Sequence, residues 1–224
     1  ALVAEGMEQE EALYKVLKET IIASRNIRFE GDGYSNEWKE EASRRGLTNI
    51  CHVPEAIMRF NDPQSRDVLI GENIFNENEL NCRIEVELEK FTKKVQIESR
   101  VLGDLAINHI IPTAVIYQNR LLENLRGLRE TFSPEEYEML GADRRELVKE
   151  IQLRILQIKE LVREMTHARH ISNRLDSQIK KAYSYQDMVS PFMEKIREYI
   201  DQLELEIDDE IWPLPKYREL LFTK

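Results

Sequence analysis

Glu164 and His167 stand three residues apart, with His170 three further on, in a stretch whose apolar residues recur at helical spacing. Residues i and i+3 share a helix face, so a Glu-x-x-His pair could ligate a transition metal, as facing copies do in di-iron bundles. Such a centre needs a second Glu-x-x-His, and neither His52 nor His109 has a glutamate three residues before it. The spacing therefore favours a solvated helix face over a metal site. His109 reads as a hydrogen-bonded or dipole-placed residue rather than a general base. Gly31-Asp32-Gly33 lacks the G-x-G-x-x-G spacing and the Lys-Ser/Thr of a phosphate loop, and reads as a turn. Glu85, Glu87 and Glu89 alternate along a helix and do not share a face, which removes them as paired carboxylates. The stretch from Arg163 to Lys181 is locally basic; it fits a solvated face better than a contact with an acidic partner. Residue spacing thus assigns no catalytic, cofactor-binding or metal-binding residue.

Composition narrows the classes further. There are 42 acidic against 32 basic residues, a net charge of −10, which disfavours nonspecific binding to nucleic acid. One residue in three is charged and the mean hydropathy is −0.52, so no apolar run of about 18 residues is available to span a bilayer. Cys51 and Cys82 have neither a metal-ligand nor a CxxC spacing, which fits a reducing compartment. The opening Ala1-Leu2-Val3-Ala4-Glu5 has no signal-peptide pattern, so a cytoplasmic protein is expected. The missing initiator Met leads us to expect a piece of something longer.

With only 8 glycines and 7 prolines, the chain is expected to be all-α. Leu13, Val16, Leu17, Thr20 and Ile21 predict a helix over roughly 8–24. Ser35 is placed to cap a helix carrying Trp38 and Ala42, and Gly46 to stop it. Between His52 and Gly71, Pro54 and Asn61-Asp62-Pro63 punctuate short helical pieces. From about Glu77, Leu80, Ile84, Leu88, Phe91, Val95, Leu102 and Leu105 predict one long helix of about 40 Å. Pro112 should kink or restart it. Ser133-Pro134-Glu135-Glu136 starts a short helix, Gly141 ends it, and a second long helix runs from about 143 to 170 or beyond. Ser190-Pro191 should open a third. The expectation is an elongated up-and-down bundle of long amphipathic helices, with shorter N-terminal helices and an extended C-terminal arm. Residues 1–72 would form a turn-rich first part and 73–224 the long-helix bundle with its arm.

Several segments carry a more specific signal. Arg28-Phe29-Glu30-Gly31-Asp32-Gly33-Tyr34-Ser35-Asn36-Glu37-Trp38, followed by Arg45-Gly46-Leu47, resembles the F-x-G-D-x-Y-S-x-E-W stretch and R-G-L of type III glutamine synthetases. Ile97-Glu98-Ser99-Arg100 is similar to that family's I-E-A-R. Ile111-Pro112-Thr113-Ala114 with Tyr117-Gln118, and the closing Trp212-Pro213-Leu214-Pro215-Lys216-Tyr217-Arg218-Glu219-Leu220-Leu221-Phe222, extend the resemblance from Arg28 almost to the C-terminus.

The resemblance implies a glutamate–ammonia ligase as parent, using ATP and Mg²⁺ or Mn²⁺ and assembling as a homo-oligomer. It also implies that the carboxylates, the ATP site and the substrate-contacting stretch lie on a β-rich catalytic domain absent here. This chain then corresponds to the last catalytic-domain helix plus a helical C-terminal region that should not catalyse the reaction alone. Its implied partners are its own catalytic domain and other subunits, not nucleic acid or membrane. Trp212, Leu214, Tyr217, Leu221 and Phe222 form an apolar arm suited to such packing. The alternative from another class is a freestanding helical adaptor with no tie to nitrogen metabolism.

Overall fold

The computed structural model describes residues 6–222, without the side chains of Tyr217 and Arg218. Among the described residues there are helices and turns but no strand, so the fold is all-α. The chain divides into two compact units, Ala1–Cys51 and His52–Lys224.

The first unit holds α1 (Gln9–Ala23), a 3-10 turn at Arg25–Ile27 and α2 (Asn36–Arg44). Glu10 and Glu11 sit in the first turn of α1, where the helix dipole favours negative charge. Ser35 caps α2 as expected, its Oγ accepting from the Trp38 N–H at 3.2 Å. Gly46 ends α2 with φ +71°, a left-handed conformation that a β-carbon disfavours. There the N–H of Leu47 donates to Ala42 O at 2.8 Å and that of Gly46 to Ser43 O at 3.1 Å, the paired bonds of a Schellman motif.

In the second unit, α3 (Val53–Met58) and α4 (Pro63–Gly71) precede α5 (Glu77–Leu105). A reciprocal box starts α5: Asn76 Oδ1 accepts from the Glu79 N–H at 3.0 Å and Glu79 Oε2 from the Asn76 N–H at 2.8 Å. The helix does not stop or restart at Pro112. It passes through a π-helical segment, Ala106–Ile110, directly into α6 (Ile111–Thr131). The Ile111 N–H bonds to the carbonyl of Ala106, five residues back. This wider turn lets the chain bring in a residue that has no N–H and whose ring would crowd the carbonyl four residues earlier. The combined rod spans residues 77–131, about 80 Å at the α-helical rise.

Ser133 and Glu136 form a second capping box at α7 (Pro134–Leu140), and α8 (Ala142–Asn173) follows. Ser190-Pro191 does not open the third long element. Ser177 caps α9 (Gln178–Ser184), which runs through a second π segment, Tyr185–Val189, into α10 (Ser190–Glu206). The device at Pro112 is thus repeated: the Ser190 N–H bonds to Tyr185 O, five residues back, just before Pro191. After α10, residues 207–216 turn without helix, and α11 (Tyr217–Leu220) adds one turn within the arm.

The three long elements run up, down and up. Gln118 Nε2 donates to Val148 O at 2.9 Å, and Gln96 Nε2 to Asn173 Oδ1 at 3.0 Å, which sets α8 antiparallel to the α5–α6 rod. Arg154 on α8 meets Gln202 and Glu206 near the end of α10. The main core gathers Ile110, Ile111, Ile151, Ile158, Met165, Tyr185, Ile196 and Leu203. A second cluster joins Leu80, Ile84 and Leu88 of α5 to Ala182 of α9, with α3 and α4 packed over it. Ser99 is fully buried, and a β-carbon at Gly103 would already touch Val162 and Met165 at 3.5 and 3.6 Å. These small residues let α5 approach α8 closely. Among the described residues no helix is long and apolar enough to cross a membrane.

Arg154 Nη1 lies 2.6 Å from Glu206 Oε2, with Glu150 3.6 Å from the same guanidinium. Burial pushes the Glu206 carboxyl above its ordinary value, outweighing the pull of Arg154, and repulsion from Glu150 adds to the rise. A carboxyl with a higher pKa folded than unfolded binds protons more tightly in the native state, so its contribution to stability falls as pH rises from the unfolded value through the folded one. Glu206→Gln should remove that loss. Urea unfolding between about pH 4 and 7 should show a variant at least as stable as the wild type at the upper end, with a flatter dependence on pH.

Candidate functional site

The segment from Arg28 to Leu47 that carries the family-like motif is organised around Arg45. Its guanidinium donates Nη1 to the carbonyls of Asn26 at 3.2 Å, Arg25 at 3.4 Å and Arg28, while Nε bonds to Glu41. Glu41 is also bonded to Arg44. These bonds to Arg45 and then Arg44 hold the Glu41 carboxyl below its ordinary value. Arg28 Nη2 reaches back to Ile21 O at 2.7 Å, and Phe29 packs against Trp38 with centroids 4.9 Å apart and the rings tilted by 43°. Asp32 Oδ1 accepts from the Tyr34 N–H at 2.9 Å, so Gly31-Asp32-Gly33 forms a self-bonded turn. The motif ties α1, the turn and α2 together through the backbone carbonyls of Ile21, Arg25, Asn26 and Arg28.

This first unit has almost no core of its own: Ala12 and Ala42 are its buried residues among those described. Leu13, Val16, Leu17 and Ile21 recur on one stripe of α1, and Leu13, Leu17 and Ile21 are 59%, 51% and 51% exposed. An amphipathic helix ordinarily buries such a stripe. The periodicity was legible in the sequence, but whether this chain covers the stripe was not.

The arm divides. Trp212 is buried in the main core and Leu214 packs half-buried against it. Lys216 ties the arm down. Its Nζ donates to Glu204 O and Ile207 O at 2.5 and 3.2 Å, pairs with Asp209 at 2.5 Å and lies over the Trp212 ring. Those two carbonyls lie in the last turn and C-cap of α10, where a cation complements the helix dipole. Leu221 and Phe222 are 64% and 82% exposed. The Tyr217 side chain lies outside the described residues.

The remaining candidates stay apart. Glu164 and His167 line an open groove of about 730 Å³ with Asp187, Phe192 and Lys195, but among the described residues no three His, Cys, Asp or Glu converge as metal ligands. His170 is exposed on the same helix. His109 is exposed in the first π segment, its carbonyl accepting from Thr113 Oγ1 at 2.9 Å, and His52 precedes α3 at its N-cap. Glu87 and Glu89 pair with Lys90 and Lys93. In the basic stretch, Arg163 pairs with Glu160. Cys51 and Cys82 are free and exposed.

The motif residues Arg28, Phe29, Trp38 and Arg45 thus join α1, the turn and α2, and the apolar stripe of α1 is exposed. A family model described as the glutamine synthetase C-terminal domain matches residues 12–129. The chain is 67% identical over 223 residues to a glutamine synthetase of Bacteroides fragilis (strain YCH46), covering 100% of this chain and 31% of that protein. It is 29% identical over 219 residues to a type-3 glutamine synthetase of Dictyostelium discoideum, covering 95% of this chain and 29% of the other. A glutamine synthetase of Butyrivibrio fibrisolvens is 27% identical, with 97% and 31% covered. The chain belongs to the glutamine synthetase C-terminal domain family. It spans less than a third of the length of these curated relatives.

If Arg45 is the lock of the first unit, Arg45→Lys should loosen it while leaving the second unit intact, because an ammonium cannot reproduce the planar fork. Limited proteolysis should cut the variant faster between residues 24 and 47, with fragments containing α5 to α10 surviving as in the wild type.

Proposed function

We propose that this chain is the non-catalytic C-terminal helical domain of a type III glutamine synthetase, packing against the catalytic part of the same polypeptide and against other subunits. The parent, on this reading, is a cytoplasmic homo-oligomer that joins ammonia to glutamate at the expense of ATP with Mg²⁺ or Mn²⁺. On this reading the metal ligands and every step of the reaction belong to the catalytic part, and none is assigned to this chain.

The observation that carries the proposal is the stripe of Leu13, Val16, Leu17 and Ile21 on α1, left open to solvent. Burying one such side chain is worth about 1.5–3 kcal/mol, so a partner surface gains several-fold from covering the row. Leu221 and Phe222 offer a second apolar contact at the arm, with Trp212 and Leu214 acting as its anchor on this chain's own core.

The test compares two backgrounds. In the 224-residue chain, Leu17→Asp should change stability by less than about 0.5 kcal/mol, as for other exposed positions. In the whole glutamine synthetase polypeptide the same change, and separately Leu221→Asp with Phe222→Ala, should lower both the native oligomer mass and the ligase activity. Unchanged mass and activity in the whole polypeptide would remove the packing role from the surface concerned.

A further inference from the structure

Across the antiparallel contact of α5 and α8, Gln96 is level with Asn173, joined at 3.0 Å. One turn further along each helix, in opposite chain directions, come Arg100 and Arg169, which the register therefore places opposite each other. Arg169 is half-buried and Arg100 exposed. Both charges act on the phenol of Tyr185, which is fully buried with its OH donating to Asn173 Oδ1 at 2.8 Å.

The register thus brings two like charges to one stretch of the seam in a chain of net charge −10. Elsewhere on α8, Arg154 and Arg163 lie against glutamates. Among the described residues, the side chain of neither Arg100 nor Arg169 makes an ion pair or a hydrogen bond. The nearby acceptor, Asn173 Oδ1, is already shared by Gln96 and Tyr185. Burial, and then the charge of Arg100, holds the Arg169 guanidinium below its ordinary value. An anion between the two would relieve the repulsion and use donors that nothing among the described residues engages.

We propose that Arg100 and Arg169 form an oxyanion-binding site at the α5–α8 seam, taking a phosphate or carboxylate group between their guanidinium planes. Such planes match the paired oxygens of these groups, where a spherical ion gains only from the charge. The same chemistry can arrive on a free small anion or on an acidic side chain from another part of the whole polypeptide. The site does not depend on the packing role of α1, which lies in the other compact unit.

Inorganic phosphate is the probe, titrated into the 224-residue chain against sodium chloride at matched ionic strength, with binding read by calorimetry and stability by thermal melting. The wild type should bind phosphate and melt higher in it than in chloride. Arg100→Gln and Arg169→Gln should each weaken phosphate binding by at least about tenfold, the loss of one charge-assisted contact. In chloride the variants should melt no lower than the wild type, because the like-charge repulsion is gone, and a merely structural arginine would not give that result. A wild type that responds equally to phosphate and chloride would overturn the proposal, as would variants that bind phosphate unchanged. In the whole polypeptide, a retained phosphate response identifies a free anion as the ligand. A lost response, together with destabilisation of that polypeptide by Arg169→Gln, identifies an internal carboxylate.

Discussion

The phenol of Tyr185 and the amide of Gln96 both donate to Asn173 Oδ1, at 2.8 and 3.0 Å, and the register of the three long helical elements depends on that shared acceptor. Apolar packing is nondirectional and would tolerate one helix sliding a turn along another. The Tyr185 side chain is fully buried, and a slip would leave its OH unpaired away from water. Tyr185 belongs to the third element, Gln96 to the first and Asn173 to the second, so one acceptor joins all three. Close approach of α5 and α8 is permitted by the buried Ser99 and by Gly103. The same register leaves Arg100 and Arg169 opposed.

Tyr185 reaches this position because it opens a π segment. A regular α-helix from Gln178 onward would meet Pro191 with a clash and a missing bond. The wider turn at Tyr185–Val189 absorbs the proline and keeps the element continuous, as Ala106–Ile110 does ahead of Pro112. Both insertions contribute to the main core through Ala106, Ile110, Tyr185 and Val189. Pro112, which read as a kink or restart, and Pro191, which read as part of a helix start, thus lie where the long elements continue and pack.

Most of the fold was legible from local signals. The caps at Ser35 and Ser133, the stop at Gly46 and the long apolar periodicity from Leu80 onward each rest on interactions within a few residues, and each stands in the structure where the sequence puts it. The start of the third element was not legible. Ser177 lies in a stretch read for its positive charge, and Ser190-Pro191 offered a stronger initiation pattern that a widened turn overrides. Residues that act across long separations were hidden for the same reason: the bonds of Lys216 to the end of α10 and of Arg45 to the carbonyls before α2 depend on tertiary placement. For the candidate site, periodicity revealed the stripe on α1, but exposure is a property of the fold and had to be seen there.

The central claim is that the α1 stripe is covered in the whole protein. Hydrogen–deuterium exchange of the amides of residues 9–23 tests it most directly, measured in the 224-residue chain and in the complete glutamine synthetase polypeptide under the same conditions. A helix held by little buried surface opens easily. The account predicts fast exchange in the chain alone and protection at least about tenfold greater in the complete polypeptide, the effect of about 1.4 kcal/mol of added local stability. Equal exchange in the two would show that nothing covers the stripe and would contradict the account.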